Sequence, residues 1–380
     1  MRRPDNADHP AETEELAKLQ RAGYRAKPHN LRSGAQCFRQ IQLAGCASLS
    51  ARRLQAWRWR AAGGRAKTWW APAYSLAGRK KNSEVLIQVE LSNAQGEPAQ
   101  WIYSLSFKAD ARVGQEKVWR HTELILDRPN AGDLEDALLL SQTFLEQSTA
   151  NKAFREIAHF FASTEYQHLV PALLKHKHAS AGMLDDDPFG QGLLERIAAC
   201  PEKNRATKLK RLQAALSAVV PTFQTLRFER DAETGAAHLE AVFGQQGAAQ
   251  WQNEQQFSDG TLRLIGMLWS LQQEASLLLL EEPELSLNEA VVALIPLMID
   301  RLLREQKASS RQVLITTHSE ALLDNPLDGR SIILLETGAE SSQARTATDQ
   351  ELQLMDAGLS PAAVLLPKAQ PAGLKALGFS

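Results

Sequence analysis

Apolar and polar positions alternate over two stretches of the chain, Val85-Ile87-Val89-Leu91 and Trp101-Tyr103-Leu105-Phe107. A period of two predicts strands, and Asn93-Ala94-Gln95-Gly96-Glu97-Pro98 between them predicts the turn of an antiparallel hairpin. Val118 to Leu126 is expected to add a third strand. From Leu134 the spacing becomes helical, through Leu138, Phe144, Phe154, Ile157, Phe160 and Phe161, and again through Leu193, Leu194, Ile197, Leu212, Leu216 and Val219. From Phe257 onward helices and short buried strands alternate. Helices are expected over Leu262–Leu271, Val291–Leu303 and Glu320–Leu323, and strands over Leu277–Leu280, Val313–Thr316 and Ile332–Leu335. Strands joined by crossover helices imply a parallel sheet covered on both faces, and such sheets bind ligands at the carboxyl ends of their strands.

This pattern divides the chain into an antiparallel β lobe over 79–130, an α-helical insert over 131–240, an α/β lobe over 241–345 and a C-terminal extension over 346–380. Residues 1–78 stand apart. The net charge of −1 conceals a contrast: from Leu31 to Lys81 there are eleven basic residues and no acidic one, which leaves 32 basic against 44 acidic residues elsewhere. The same window holds Trp57, Trp59, Trp69 and Trp70 and two of the three cysteines, Cys37 and Cys46.

Three cysteines without metal-ligand spacing suit neither a disulfide framework nor a zinc site, and imply a reducing compartment. The polar first fifteen residues lack a signal-peptide core and no apolar run reaches membrane-spanning length, so a cytoplasmic protein is expected. Asp185-Asp186-Asp187-Pro188 lacks the spaced ligands of a calcium loop and reads as a solvated loop, and Lys175-His176-Lys177-His178 reads as a solvated helix face.

The chemistry lies farther along. The apolar run Leu277-Leu278-Leu279-Leu280 leads directly into Glu281-Glu282-Pro283-Glu284. Acids set against an apolar core are costly unless a cation is bound there, and a magnesium-nucleotide complex supplies one. Upstream, Phe257-Ser258-Asp259-Gly260-Thr261 opens a helix whose first amides suit a phosphate, although Ser258 or Asp259 suits a plain helix cap equally well. Downstream, Gln312-Val313-Leu314-Ile315-Thr316-Thr317 ends in His318-Ser319, an imidazole at the edge of the next strand.

In this order the three motifs FSDGT, LLLEEPELSL and THS resemble the C-terminal half of ABC-type ATPase heads, and most closely the RecF/SMC-like group of AAA family ATPases. The resemblance covers about residues 79 to 340, with specific motifs in 257 to 319. It implies an α/β P-loop NTPase of ABC/SMC-head type that binds ATP and Mg²⁺, with Glu281 at the metal, Glu282 as the catalytic carboxylate and His318 near the γ-phosphate. By the same resemblance Ser258, Asp259 and Gly260 form the signature turn, Ser258 and Gly260 contacting ATP held by a second copy, and Ser286 lies in the D-loop over Glu284–Asn288. A homodimer sandwiching ATP is expected, coupled to DNA or a protein partner in repair, chromosome maintenance or defence. The chain departs from the wider ABC pattern in having FSDGT for LSGGQ and Glu281 where Asp is commoner. A second reading is a scaffold or DNA-binding module that keeps the fold without turnover. An OLD-type nuclease is disfavoured by the short stretch after Leu335.

Such ATPases need a phosphate loop of the form G-x-x-x-x-G-K-[ST], whose amides and Lys cradle the phosphates. The chain has none, and Gly63-Gly64-Arg65-Ala66-Lys67-Thr68 has the wrong spacing. Gly34 to Leu43, however, can be encoded by GGG GCG CAA TGC TTC CGG CAA ATC CAA CTT. Read one nucleotide later, with the G of Ala44, these codons give G-R-N-A-S-G-K-S-N-L, a complete phosphate loop. The codons of Gln36, Cys37, Phe38, Gln40 and Ile41 permit few shifted outcomes, which makes an accidental match improbable. Residues 30–77 are therefore expected to be the out-of-frame translation of a phosphate-loop region, with the frame restored before Val85. The competing reading takes Arg52-Arg53-Leu54-Gln55-Ala56-Trp57-Arg58-Trp59-Arg60 as a basic, aromatic platform for single-stranded nucleic acid.

Overall fold

The computed structural model describes residues 38–40 and 85–369, apart from 95, 109–111, 176–186, 245–249, 274, 306–310 and 338–341. The Gly63–Thr68 motif, the Arg52–Arg60 stretch and all of residues 30–77 except 38–40 lie outside the described residues.

Thirteen strands are described: β1 Phe38–Gln40, β2 Val85–Leu91, β3 Trp101–Phe107, β4 Val113–Arg120, β5 Glu123–Arg128, β6 Thr164–Gln167, β7 Phe223–Arg230, β8 Ala237–Phe243, β9 Gln250–Asn253, β10 Leu277–Glu281, β11 Gln312–Thr316, β12 Ile333–Thr337 and β13 Ser342–Thr346. The hairpin exists as β2 and β3, paired from Val85↔Phe107 to Leu91↔Trp101. The single strand expected over Val118–Leu126 is instead the inner part of a second hairpin, β4 and β5. Alternation continues through its tight turn, where His121 adopts φ 53°, so periodicity alone does not reveal the reversal. Trp101, Tyr103, Leu105, Phe107, Val113 and Val118 of this meander bury against Leu145, Phe154 and Ile157 of the next segment.

The β lobe ends on a buried charge cluster. The Arg128 guanidinium is fully buried and reaches Glu116 at 2.8 Å and Asp133 at 2.6 Å. It also donates to the carbonyls of Gln142 and Leu139 and lies 3.8 Å from the Phe144 ring centroid. Its positive charge is thus matched on every side, as burial demands.

The central sheet is parallel, in the order β1-β11-β10-β6. Leu278, Leu279 and Leu280 are almost fully buried in it, and the helix Asp259–Ser270 is buried from Gly260 to Ser270. The stretch 131–240 is only partly helical. It holds the helices Arg155–Ala162, Leu193–Ala199 and Glu202–Val219, yet it also supplies β6 to the central sheet and β7 and part of β8 to a separate sheet ordered β7-β8-β9. Thr164-Glu165-Tyr166-Gln167 is too short and polar to read as a core strand. Its burial is made tolerable by side-chain partners: Gln167 bonds Ser270, and Glu165 lies 3.4 Å from Arg311.

Three further expectations are corrected. The helix expected over Val291–Leu303 is two, Glu289–Val292 and Ile295–Glu305, with Pro296 in the first turn of the second, the position a helix tolerates. The strand expected at Ile332–Leu335 is β12, which pairs antiparallel with β13 outside the central sheet and packs on the helix Pro361–Ala369. Asp187 is not solvated: its side chain is 1% exposed, accepts from the amides of Gln191 and Gly192, and meets Arg196 at 2.7 Å.

Candidate active site

The carboxyl ends of β10 and β11 lie side by side, with Glu281 opposite Thr316 in register. The Glu282 amide donates to both the backbone oxygen and the hydroxyl of Thr316, at 3.0 and 3.2 Å, which fixes one strand end to the other. Beyond it the chain turns sharply. Glu282 has φ 43° and Ser286 φ 63°, two of the three non-glycine residues in the left-handed region among the described residues. Side chains there cost on the order of 1–3 kcal/mol each, so the loop stores strain where the acids are presented.

The side chains converge. His318 Nε2 is 3.2 Å from Glu282 Oε1, the imidazole largely exposed and the carboxylate less so. Tyr166, from β6 on the other flank of β10, donates its hydroxyl to Glu281 Oε2. Thr317 donates its hydroxyl to Glu284 Oε1 and accepts the Ser319 amide at 2.9 Å. Glu284 Oε2 is buried without a hydrogen-bond partner, and burial pushes the Glu284 carboxyl above its usual range.

The signature turn adjoins this edge. Ser258 caps its helix, accepting the Thr261 amide at 3.1 Å. A Cβ at Gly260 would fall 2.9 Å from the Ser286 carbonyl oxygen, so the two backbones touch only because residue 260 has no side chain. Asp259 is exposed and pairs with Lys175 at 2.8 Å. This corrects the reading of Lys175 as merely a solvated helix face; His176, Lys177 and His178 lie outside the described residues.

Glu281, Glu282, Ser286 and His318 therefore share one strand edge, and Ser258, Asp259 and Gly260 abut it through Ser286. Tyr166 was missed by the sequence reading, Lys175 was read only as part of a solvated helix face, and Thr316 and Thr317 were noted only as the end of a strand. Thr316 and Thr317 directly precede His318 and were within reach; Tyr166 and Lys175 are brought in only by tertiary folding.

Among the described residues no group of three or more His, Cys, Asp or Glu side chains is arranged to hold a metal ion. Mg²⁺ asks the protein for only one or two carboxylates, and Glu281, which accepts the Tyr166 hydroxyl, is one that such an ion could use.

The parallel sheet thus presents two acids and a histidine at its carboxyl edge, next to a capped helix N-terminus. The family model described as "AAA domain, putative AbiEii toxin, Type IV TA system" matches residues 61–324, and the chain belongs to this AAA family. The chain is similar to the crystal structure of an SMC head bound to the C-terminal winged-helix domain of ScpA, at 12% identity over 82% of this chain and 88% of that one, with TM-score 0.46. It is also similar to the SMC head domain from Thermotoga maritima, at 11% identity over 71% and 75% with TM-score 0.35. A nucleotide-free ATP-binding cassette from an ABC transporter matches at 10% identity over 65% and 86% with TM-score 0.28. No curated protein matches. No helix among the described residues is long and apolar enough to cross a membrane.

Proposed function

We propose that this chain is a cytoplasmic ATPase head whose two copies sandwich ATP and Mg²⁺, and whose phosphate cradle is lost here through an out-of-frame segment. The observation that carries the reading is the pair Glu282–His318, 3.2 Å apart across the ends of adjacent parallel strands. Bound Mg²⁺ would neutralise the phosphates, held on the protein side by Glu281. Glu282 accepts a proton from the attacking water, and His318 holds Glu282 on one side while facing the γ-phosphate on the other. Ser258 and Gly260 approach the γ-phosphate of the second copy's nucleotide, with Asp259 neutralised by Lys175, and Ser286 carries the contact back to the hydrolytic loop. ATP binding closes the dimer and hydrolysis reopens it, coupled to DNA or a partner protein in repair, maintenance or defence.

The loss of the cradle rests on the sequence, which holds no G-x-x-x-x-G-K-[ST] and whose Gly34–Leu43 codons permit a shifted phosphate loop. Two measurements test the proposal. The coding DNA either spells G-R-N-A-S-G-K-S-N-L in the shifted frame or ends that part of it. ATP titration should give a Kd weaker than about 1 mM for the present chain and one in the micromolar range, roughly 4 kcal/mol tighter, once the frame is restored. Micromolar binding by the present chain would refute the loss, and a restored chain without ATPase activity would refute the enzyme.

A further inference from the structure

Between the end of β9 and Ser258 lie only Glu254, Gln255, Gln256 and Phe257. The β8–β9 ladder stops at Glu240↔Asn253, and the side chain of the next residue takes over from it. Glu254 is 1% exposed, and a buried carboxylate must be met by donors. β8 supplies them: the Leu239 amide donates to Glu254 Oε2 at 3.1 Å, and His238 Nδ1 lies 3.0 Å from Glu254 Oε1. A carboxylate only accepts, so the hydrogen between them sits on Nδ1. Three residues on, Phe257 is 2% exposed and packs edge to face on Phe243, the ring centroids 5.5 Å apart. Ser258 follows at once and caps the signature helix by accepting the Thr261 amide. The signature turn is thus tied to the β7–β9 sheet at two points, one polar and one apolar.

Resting on the ATPase reading above, we propose that His238 is a positioning residue that sets the signature turn through Glu254. The apolar contact of Phe257 keeps the segment in the core, but such contact has no direction of its own. A carboxylate bonded through both oxygens to two consecutive residues of β8 does have direction, and fixes where along the strand the segment lies. Ser258 and Gly260 are then presented to the second copy's nucleotide from one defined place. His238 touches no reacting atom; it sets where the signature turn is held.

Amide hydrogen exchange on the full, nucleotide-free chain tests this without requiring ATP binding, so its outcome is separate from that of the ATP titration. The amides of Leu239, Thr261 and Leu262 bond to Glu254, the Ser258 hydroxyl and the Ser258 carbonyl respectively. His238→Phe keeps a ring and removes the donor. It should speed exchange at these three amides by about tenfold or more while leaving the β2–β5 lobe unchanged, because Phe257 still holds the segment in the core. His238→Asn places an amide nitrogen the same number of bonds from the backbone as Nδ1, and should restore slow exchange. Glu254→Gln offers one accepting oxygen to two donors and should loosen the same three amides, which decides the matter if His238→Phe does not fold. Wild-type exchange at Thr261 and Leu262 in folded His238→Phe or Glu254→Gln, or an equal loss across the whole chain, overturns the proposal. So does exchange in His238→Asn as fast as in His238→Phe.

Discussion

His318 Nε2 stands 3.2 Å from Glu282 Oε1, and the two residues come from the ends of neighbouring parallel strands rather than from one motif. A general base needs both reach and orientation, and here the second is supplied by a partner that is itself held between Thr317 and Ser319. In the frame-restored chain, Glu282→Gln should lower ATP turnover by on the order of 10²–10³-fold while leaving ATP-driven dimerisation intact. Phosphate release and size-exclusion chromatography read the two separately. Turnover within about threefold of the parent would remove Glu282 from the chemistry.

Two glycines should respond to alanine for different reasons. At Gly260 a Cβ would lie 2.9 Å from the Ser286 carbonyl oxygen and 3.0 Å from Leu287 Cδ2, and the first is backbone that cannot swing aside. Gly260→Ala should cost about 1–3 kcal/mol, as overpacking does, and should separate the signature turn from its neighbouring loop. At Gly235 nothing lies within 4 Å, yet φ is 70°, so Gly235→Ala should cost about 1–2 kcal/mol from backbone conformation alone. Urea unfolding at fixed pH measures both, and a neutral Gly260→Ala would mean that the Ser286 loop yields.

The two inner strands of the central sheet, β10 and β11, were legible because they are apolar runs that end abruptly in acids or histidine. Leu277–Leu280 can be nothing but a covered strand, and Glu281 and Glu282 then follow at its carboxyl edge. β6 was not legible, because Gln167 and Glu165 find their partners in Ser270 and Arg311, residues more than a hundred positions away. For the same reason Tyr166, which orients Glu281, and Lys175, which neutralises Asp259, left no local signal. The burial of Arg263 was hidden differently: in a helix otherwise apolar inward it reads as a surface residue, whereas the helix is covered on all sides. The β4–β5 reversal was hidden by alternation that runs on through its turn.

Arg128 anchors the β lobe to the segment that follows it. Its partners Glu116 and Asp133 are themselves buried, so removing the guanidinium leaves two acids in an apolar setting with nothing to balance them. Arg128→Met should destabilise the protein by about 3–5 kcal/mol, with loss of the β2–β5 lobe first in hydrogen exchange. Arg128→Lys should recover only part of this, because one ammonium cannot reach Glu116, Asp133 and two carbonyls in the planar fork that the guanidinium provides. A loss below about 1 kcal/mol in Arg128→Met would show that the acids find water or protons instead.

Glu146 gives the β lobe a pH dependence of definite sign. Its Oε2 accepts from the Thr143 amide and hydroxyl, its Oε1 is buried without a partner, and burial pushes the carboxyl up to about 7 against these bonds. Because the folded state holds this proton more tightly than the unfolded chain, the contribution is fully present below about pH 4.5 and is lost as pH rises through about 7. The loss amounts to roughly 3 kcal/mol over that window. Glu351 acts in the opposite sense: bonded to Arg345 and Lys368, its carboxyl is held well below the usual range, and its contribution disappears only in acid. Between pH 5 and 8 Glu146 therefore contributes a falling slope, in the same sense as Glu165 and Glu284, whose carboxyls burial also raises. Glu146→Gln, which keeps the shape and cannot ionise, should flatten that slope and leave the variant more stable than the parent at pH 8. Urea midpoints at pH 5, 6.5 and 8 measure it, and an equal offset between parent and variant at all three would show that Glu146 does not titrate with unfolding.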